Sequence, residues 1–453
     1  MDSSKDLQFL KNKTILVTGA AGFLAKVFVE KILRIQPNVK KLYLLIRAED
    51  TKSATQRMFH EVVETELFRV LRDTWGENLE PFLTKKMEAI PGDVSYENLG
   101  VKDFSLREVM WSEIELVVNV AATTRFDERY DVAFSTNTMG AFNVLSFAKK
   151  CMNIKMLLHV STAYVCGERS GIIPENLFDY METPIETSNK LDITEEKKLI
   201  EHKLKELEAA NGSETTITST MKNVGIKRAR LYGWPNTYAF TKAMGEMVLG
   251  HYKENIPIII IRPTVITSTY QEPFSGWIEG LRTIDSPIIG YGKGKFKFLL
   301  ANPRTVLDLV PVDMVVNSMM IAMMENAKQE CCSQIIYQIG SSMRNPVKLS
   351  DIVKYSARYF ATSPYINKDG KPIKVSKSFL ILNSSTAFRT YMTIRYLLPL
   401  KGLKLVNSIF PQVLKKVNFT DMNRKIKFVM QLVELYKPLC YSRECLMTQT
   451  LRS

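Results

Sequence analysis

The sequence predicts an α/β protein, a doubly wound parallel sheet followed by a smaller, mostly helical C-terminal domain. Two observations carry that expectation. Short apolar runs alternate with helical periods between residues 13 and 165, as strands do when crossover helices bury both their faces. The charge then changes abruptly: residues 1–340 hold 41 Lys/Arg against 42 Asp/Glu, whereas residues 341–453 hold 20 against 5. The whole +14 excess therefore sits in the last quarter. This marks a boundary near residue 340 and points to a negative partner, or else to a merely solvated basic domain.

With 453 residues and 45% apolar content the chain can bury a large core, and its length fits two or three domains. No apolar run reaches the roughly 18 residues of a membrane span. The strongest, residues 256–261, is interrupted by Pro257 and followed by Arg262. The opening segment carries Asp2 and Asp6 and no long apolar stretch, so it resembles neither a secretory signal nor a transit peptide, and exposure to the cytoplasm is expected. The six cysteines (151, 166, 331, 332, 440 and 445) show no Cys-x-x-Cys spacing, and His60, His159, His202 and His251 are scattered singly. Neither a disulfide framework nor a metal site is expected.

Strands are expected at 14–18, 41–46, 87–90, 115–120 and 156–161, each ending where an open α/β sheet binds its ligands. Residues 166–225 read as an insertion or lid at the edge of the core. It holds a charged helix over 195–208 that Asp192 or Thr194 can cap, with a narrow apolar side at Leu199, Ile200, Leu204 and Leu207. Asn211 to Thr220, rich in Ser and Thr, reads as a mobile polar loop. A buried strand follows at Pro257 to Arg262, then a glycine-rich loop over Gly290 to Lys295, then a strand end running into a helix over Asp308 to Val316.

The first strand ends in Thr18-Gly19-Ala20-Ala21-Gly22-Phe23-Leu24-Ala25 and opens a helix. In that context Gly-x-x-Gly-x-x-Ala is a dinucleotide fingerprint, because the glycines let backbone N–H groups and a helix N-terminus approach a pyrophosphate. The sheet is then of Rossmann type, with Thr18, Gly19, Gly22, Phe23 and Leu24 as candidate cofactor contacts. Arg47 ends the second strand where an NAD-preferring fold offers a carboxylate to the ribose; a cation suits a 2′-phosphate, so NADPH is the expected cofactor. Asp93, after the third strand, can meet the adenine amino group or simply build a turn. Asn119 and Ala121 close the fourth strand against the cofactor. Asn137, in the next helix, can orient a water or a lysine.

Proton chemistry points to Tyr238 and Lys242. At i and i+4 they share one helix face, and an ammonium beside a phenol favours its ionised form, giving an acid of lowered pKa. Thr162, with Ser161 as second choice, ends the fifth strand and can hydrogen-bond a substrate carbonyl beside Tyr238. No Gly-x-Ser-x-Gly elbow surrounds these hydroxyls, so they do not belong to a serine hydrolase. A second Tyr-x-x-x-Lys, Tyr291 and Lys295, contains Gly292 and Gly294, a poor helix whose spacing has no geometric meaning.

Taken in order, the glycine turn, Tyr43-Leu44-Leu45-Ile46-Arg47-Ala48, Ser161-Thr162-Ala163-Tyr164-Val165, Tyr238-x-x-x-Lys242 and Arg262-Pro263-Thr264 resemble an extended short-chain dehydrogenase/reductase. The long gap between Thr162 and Tyr238 and the basic helical tail resemble the alcohol-forming fatty acyl-CoA reductases of plant type. The resemblance runs over about residues 10 to 438; beyond Pro438 the chain reads as a shortened or altered end. It implies an NADP-binding reductase domain over 10–340, with its insertion at about 166–225, and an acyl-binding domain over 341–453. It also implies NADPH-dependent reduction of long-chain acyl-CoA through an aldehyde to a primary alcohol, with Tyr238, Lys242 and Thr162 catalytic and Lys242 also holding the nicotinamide ribose. A peripheral position on the cytoplasmic side of the endoplasmic reticulum follows, and no nucleic acid partner is expected. Two other readings stay open: another extended reductase or sugar-nucleotide epimerase, which shares every motif through Arg262 but leaves the basic tail unexplained, and a catalytically silent NADP-binding protein.

Overall fold

The computed structural model describes residues 7–169, 171–175, 182–185, 190–295, 298–327, 334–375, 380–409, 418–441 and 444–446. The chain divides into two compact units, one of Met1–Glu279, Leu309–Met343 and Cys445–Ser453, the other of Gly280–Asp308 and Arg344–Glu444. Cys331 and Cys332 lie outside the described residues, as does the chain beyond Leu446. Cys151 and Cys166 are buried. Among the described residues no helix is long and apolar enough to cross a membrane, and no group of His, Cys, Asp and Glu is placed to hold a metal.

The first unit is built on seven parallel strands: β1 (Thr14–Thr18), β2 (Lys41–Ile46), β3 (Met87–Pro91), β4 (Leu116–Asn119), β5 (Met156–Val160), β6 (Ile258–Pro263) and β7 (Gln334–Ile339). Their spatial order is β7-β6-β5-β4-β1-β2-β3, so the winding reverses between β1 and β4. That switch point is where crevices form at the carboxyl ends of such sheets. The pleat sorts the apolar residues between two layers. Ile15, Val17, Leu42, Leu44, Leu116 and Val118 pack with helix α1 (Phe23–Ile35), and Leu16, Tyr43, Leu45, Val117 and Leu157 pack on the opposite face. Burial on both faces explains why these strands read as apolar runs rather than alternations.

The insertion is more ordered than its composition implies. Asp192, not Thr194, caps α2 (Ile193–Ala209), accepting from Thr194 N at 2.8 Å. The expected mobile loop at 211–220 is instead the start of a second helix, α3 (Glu214–Leu231). Ser213 caps it, Glu214 complements its dipole, and Met221 with Ile217 and Val224 joins a core shared with Phe240 and Trp234. Capping and packing outweigh the low helix propensity of Thr. Within this core Glu196 of α2 is only 1% exposed and is held by Tyr130 Oη at 2.7 Å and by the Arg228 guanidinium.

The second unit is helical with short strands. Its helix α5 (Asp285–Gly292) replaces the glycine-rich loop expected at 290–295, since Gly290 and Gly292 lie inside it and only Gly294, at φ +66°, turns the chain. Close packing explains the glycine at 292: a Cβ there would stand 2.3 Å from Phe360 Cζ on α6 (Leu349–Thr362). Phe298, Leu300, Phe388 and Met392 form this unit's small core. Helix α7 (Leu398–Ile409) buries Leu400, while Leu398, Leu405 and Ile409 are 53%, 63% and 62% exposed.

Candidate active site

The glycine turn sits at the switch point and is shaped for close approach. Gly19 has φ +67°, and a Cβ on it would meet Ala121 Cα at 2.8 Å, so the turn can pass the end of β4 only without a side chain. Gly22 is the N-cap of α1 and supplies no side-chain cap, and its own Cβ would crowd Gly19 O at 3.0 Å. The first N–H groups of α1 are thereby left to a ligand rather than to a capping side chain. A dinucleotide pyrophosphate fits this cradle. Phe23 and Leu24 can offer a ligand only their backbone, because both side chains are buried and Phe23 stacks on Trp277 at 5.3 Å.

Around the turn the expected residues divide. Arg47 is exposed at the end of β2, and its carbonyl accepts from the Arg57 guanidinium, which also pairs with Glu61 at 2.6 Å. Arg57 was not foreseen; it brings a second cation to that strand end. Asp93 builds a turn, its Oδ1 accepting from Ser95 N at 2.9 Å and Ser95 Oγ at 2.8 Å, which is the simpler of the two expectations. Asn119 and Ala121 do reach the turn: Thr18 Oγ1 donates to Asn119 Oδ1 at 2.6 Å and accepts from Ala121 N at 3.2 Å. Asn137 corrects its expectation. Its amide bonds both Thr123 N and Thr123 O, at 3.0 and 3.1 Å, and Thr241 Oγ1 at 2.9 Å, so it clamps the loop after β4 onto the helix instead of touching the lysine. The π-helical stretch Phe134–Met139 that carries it has Asn137 O where a Cβ on Gly245 would fall, at 2.4 Å.

Tyr238 and Lys242 lie on α4 (Thr237–Tyr252), capped by Asn236, whose Oδ1 accepts from Ala239 N at 2.9 Å. Thr162 hydrogen-bonds Tyr238, and Phe126 stacks on the phenol ring at 6.0 Å. Lys242 is 1% exposed; its Nζ donates to Val160 O at 2.7 Å and lies 3.1 Å from His159 Nε2. The pKa expectation is corrected here. Burial pushes the Tyr238 phenol up to about 12, with the Thr162 hydrogen bond opposing, and the ammonium does not depress it. Burial likewise pushes Lys242 down to about 8, with Glu246 opposing. Desolvation wins over charge proximity because Lys242 is fully buried, and Tyr238 partly so, between the sheet and α4. Tyr238 is thus a firm hydrogen-bond donor at neutral pH. Ser161 Oγ is buried with no hydrogen-bond partner, one residue from Thr162, so a ligand is free to satisfy it.

Tyr291 and Lys295 share no helix face: the first is buried in α5 and the second lies beyond its end, as their glycines predict. Sequence reasoning missed Glu246, one further turn along α4, which forms a buried ion pair with Arg262 of β6 at 2.6 Å. Its spacing from Lys242 was a readable signal. His159 reads in the sequence as a histidine standing singly; its place inside an otherwise apolar strand is the signal that marks it.

The family model described as Male sterility protein, an NAD-binding family, matches residues 17–319. A probable fatty acyl-CoA reductase 4 of Arabidopsis thaliana is 56% identical over 439 residues, which cover 97% of this chain and 88% of that protein. The alcohol-forming fatty acyl-CoA reductase of Simmondsia chinensis is 50% identical, over 96% of this chain and 88% of its own length. Among solved structures, the terminal R domain of the myxalamid PKS-NRPS pathway superposes with a TM-score of 0.53 at 16% identity, covering 88% of this chain and 77% of that one, which supports the fold. A glycine turn at the switch point, a Tyr–Lys pair beside it and near-full-length identity of 50–56% to these reductases lead to one conclusion: this chain belongs to the fatty acyl-CoA reductase family.

Proposed function

We propose that the chain reduces long-chain fatty acyl-CoA, with NADPH as reductant, through the aldehyde to a primary alcohol with release of CoA. The observation that carries the reading is the Tyr238–Thr162 hydrogen bond with Lys242 one helical turn away, at the carboxyl end of the sheet. A dinucleotide held at the glycine turn would supply one hydride, to the thioester carbonyl, and a second NADPH taking its place would supply another, to the aldehyde. Tyr238 Oη and Thr162 Oγ1 donate to the carbonyl oxygen as it gains charge. In the second reduction Tyr238 gives up its proton, and the Lys242 ammonium offsets the phenolate left behind. A phenol whose proton is held up to about 12 is a reluctant acid in the ligand-free protein, so the transfer draws on the strong basicity of the alkoxide formed from the aldehyde.

The purified protein incubated with NADPH or NADH and acyl-CoAs of several lengths, followed by lipid product analysis, tests this reading. Alcohol is expected from the natural chain, and Tyr238→Phe should keep dinucleotide binding while losing about 10²–10⁴ in rate. Dinucleotide binding without product from any acyl-CoA would favour the silent binding protein instead. Preference for NADPH is supported by Arg47 and Arg57 at the end of β2. Arg47→Glu should weaken NADPH far more than NADH; equal loss for both removes the argument.

The membrane reading is likewise ours: peripheral attachment on the cytoplasmic face of the endoplasmic reticulum through the basic C-terminal segment. It is supported by 20 Lys/Arg against 5 Asp/Glu in 341–453 and by α7, whose exposed Leu398, Leu405 and Ile409 lie opposite the buried Leu400 with exposed Lys401 and Lys404 beside them. Each basic residue near an anionic surface contributes about 1 kcal/mol. Flotation with anionic vesicles should show binding at low salt that weakens at high salt; no binding at low salt would end this reading.

A further inference from the structure

Lys242 is held from the sheet as well as from its own helix. Thr18, Asn119 and His159 are register partners on β1, β4 and β5, placed side by side across three neighbouring strands. Their side chains share the face that carries Leu16, Val117 and Leu157. They form a continuous polar ladder: Thr18 Oγ1 to Asn119 Oδ1 at 2.6 Å, Asn119 Nδ2 to His159 Nδ1 at 2.9 Å, and His159 Nε2 to Lys242 Nζ at 3.1 Å. Exposure along it is 0%, 2%, 1% and 1%. At its far end Thr18 Oγ1 accepts from Ala121 N, beside the glycine turn.

We propose that His159 is a positioning residue for the reaction: a neutral imidazole that fixes the Lys242 amine between its Nε2 and the Val160 carbonyl, and ties it through Asn119 and Thr18 to the dinucleotide turn. The inference rests on the reading of Tyr238 and Lys242 as the proton-transfer pair. Neutrality follows from the surroundings, since a charged ring would place a second cation 3.1 Å from Nζ with no carboxylate among the ring's hydrogen-bond partners. With Asn119 Nδ2 donating to Nδ1, the neutral ring carries its proton on Nε2 and donates it to Nζ when Lys242 is uncharged; Nζ then donates to Val160 O and keeps one N–H direction for the reacting groups. The other titratable groups around Lys242 do not substitute. Tyr238 and Glu246 are on its own helix, and the Glu246 carboxylate is engaged by Arg262 Nε and NH2. A histidine suits the place because its two ring nitrogens span from the Asn119 amide to the amine, which an aliphatic residue cannot do.

The test compares His159→Leu, which removes the partner, with His159→Gln, whose amide can still reach Nζ. Thermal unfolding first establishes that both fold. Titration of Lys242 Nζ by NMR on lysine-labelled, ligand-free protein, with Lys242→Met for assignment, should give a midpoint about one unit higher in the Leu variant than in the natural chain. Loss of a donor to the amine's lone pair destabilises the uncharged form. The Gln variant should stay near the natural midpoint. In the reductase assay the Leu variant should lose about 10²-fold in kcat with KM for acyl-CoA little changed, its basic pH limb moving up with the midpoint, and Gln should recover most of the rate. Unchanged titration and kcat in the Leu variant would overturn the proposal, as would a Gln variant no better than Leu. Should the natural chain reduce no acyl-CoA while the titrations shift as stated, the functional reading fails and the ladder stands.

Discussion

Arg262–Glu246 in the first unit and Arg389–Glu434 in the second are the same chemical pair in opposite surroundings. The first is 3% and 1% exposed and doubly hydrogen-bonded beside Lys242; the second is 67% and 34% exposed with a single contact at 3.2 Å. The contrast extends to whole units. Around the switch point polar side chains are buried and partnered from strand to strand, so charge there sets geometry and pKa. In the second unit charge stays in water and apolar side chains such as Leu405 come out with it, so charge there sets what the surface meets.

The largest expected effect separates the two pairs directly. Glu246→Gln leaves the Arg262 guanidinium buried without its counter-charge and should cost about 3–5 kcal/mol of stability. Arg389→Ala should cost about 0–1 kcal/mol. Urea unfolding of both variants measures the gap, and comparable losses would break the comparison.

A second expectation concerns pH. Lys242 titrates at about 8 when folded and near 10.4 when unfolded, so between those values the unfolded chain binds more protons and stability rises with pH. The gain is about 3 kcal/mol in all. Tyr238 acts in the opposite sense above pH 10, where the unfolded phenol ionises while the folded one keeps its proton to about 12. Unfolding free energies of the natural chain and Lys242→Met between pH 7 and 9.5 should therefore converge or cross as pH rises. Parallel curves would show that the lysine is not desolvated as the fold implies.

The smallest effect sharpens the contrast at glycine. Gly19→Ala meets both a positive φ and the Ala121 backbone, and should lower stability by about 1–3 kcal/mol along with dinucleotide affinity. Gly402→Ala, on the exposed helix α7 with nothing within 4 Å, should raise helix stability by about 0.5–1 kcal/mol. Thermal melts with a dinucleotide titration check both. A Gly19 variant that binds as the natural chain does would remove the close-approach argument.

Much of the first unit was legible because its signals are local. A strand buried on both faces must be an apolar run, a glycine turn must precede its helix, and a Tyr–Lys spacing of four can share a face only where no glycine interrupts it. The reading failed where local preference was overruled. Thr-rich residues 214–220 form a helix because Ser213 caps them and Met221 packs, and Gly292 closes a helix where Phe360 leaves no room for a side chain. Trp234 and Phe240, with which Met221 shares a core, and Phe360 all lie outside these segments.

By itself the sequence determined the order of strands along the chain, the glycine turn, the placing of Tyr238 and Lys242 on one helix and of Thr162 at a strand end, and the uneven charge. These follow from side-chain size, spacing and count. Only the tertiary structure decided which pKa effect wins at Tyr238, that Asn137 serves the loop after β4, and that Thr18, Asn119 and His159 stand in one row behind the lysine. Desolvation depends on what surrounds a group from every side, and register between strands is fixed by pairings across 40 and 101 residues of sequence, so neither can be read from neighbours along the chain.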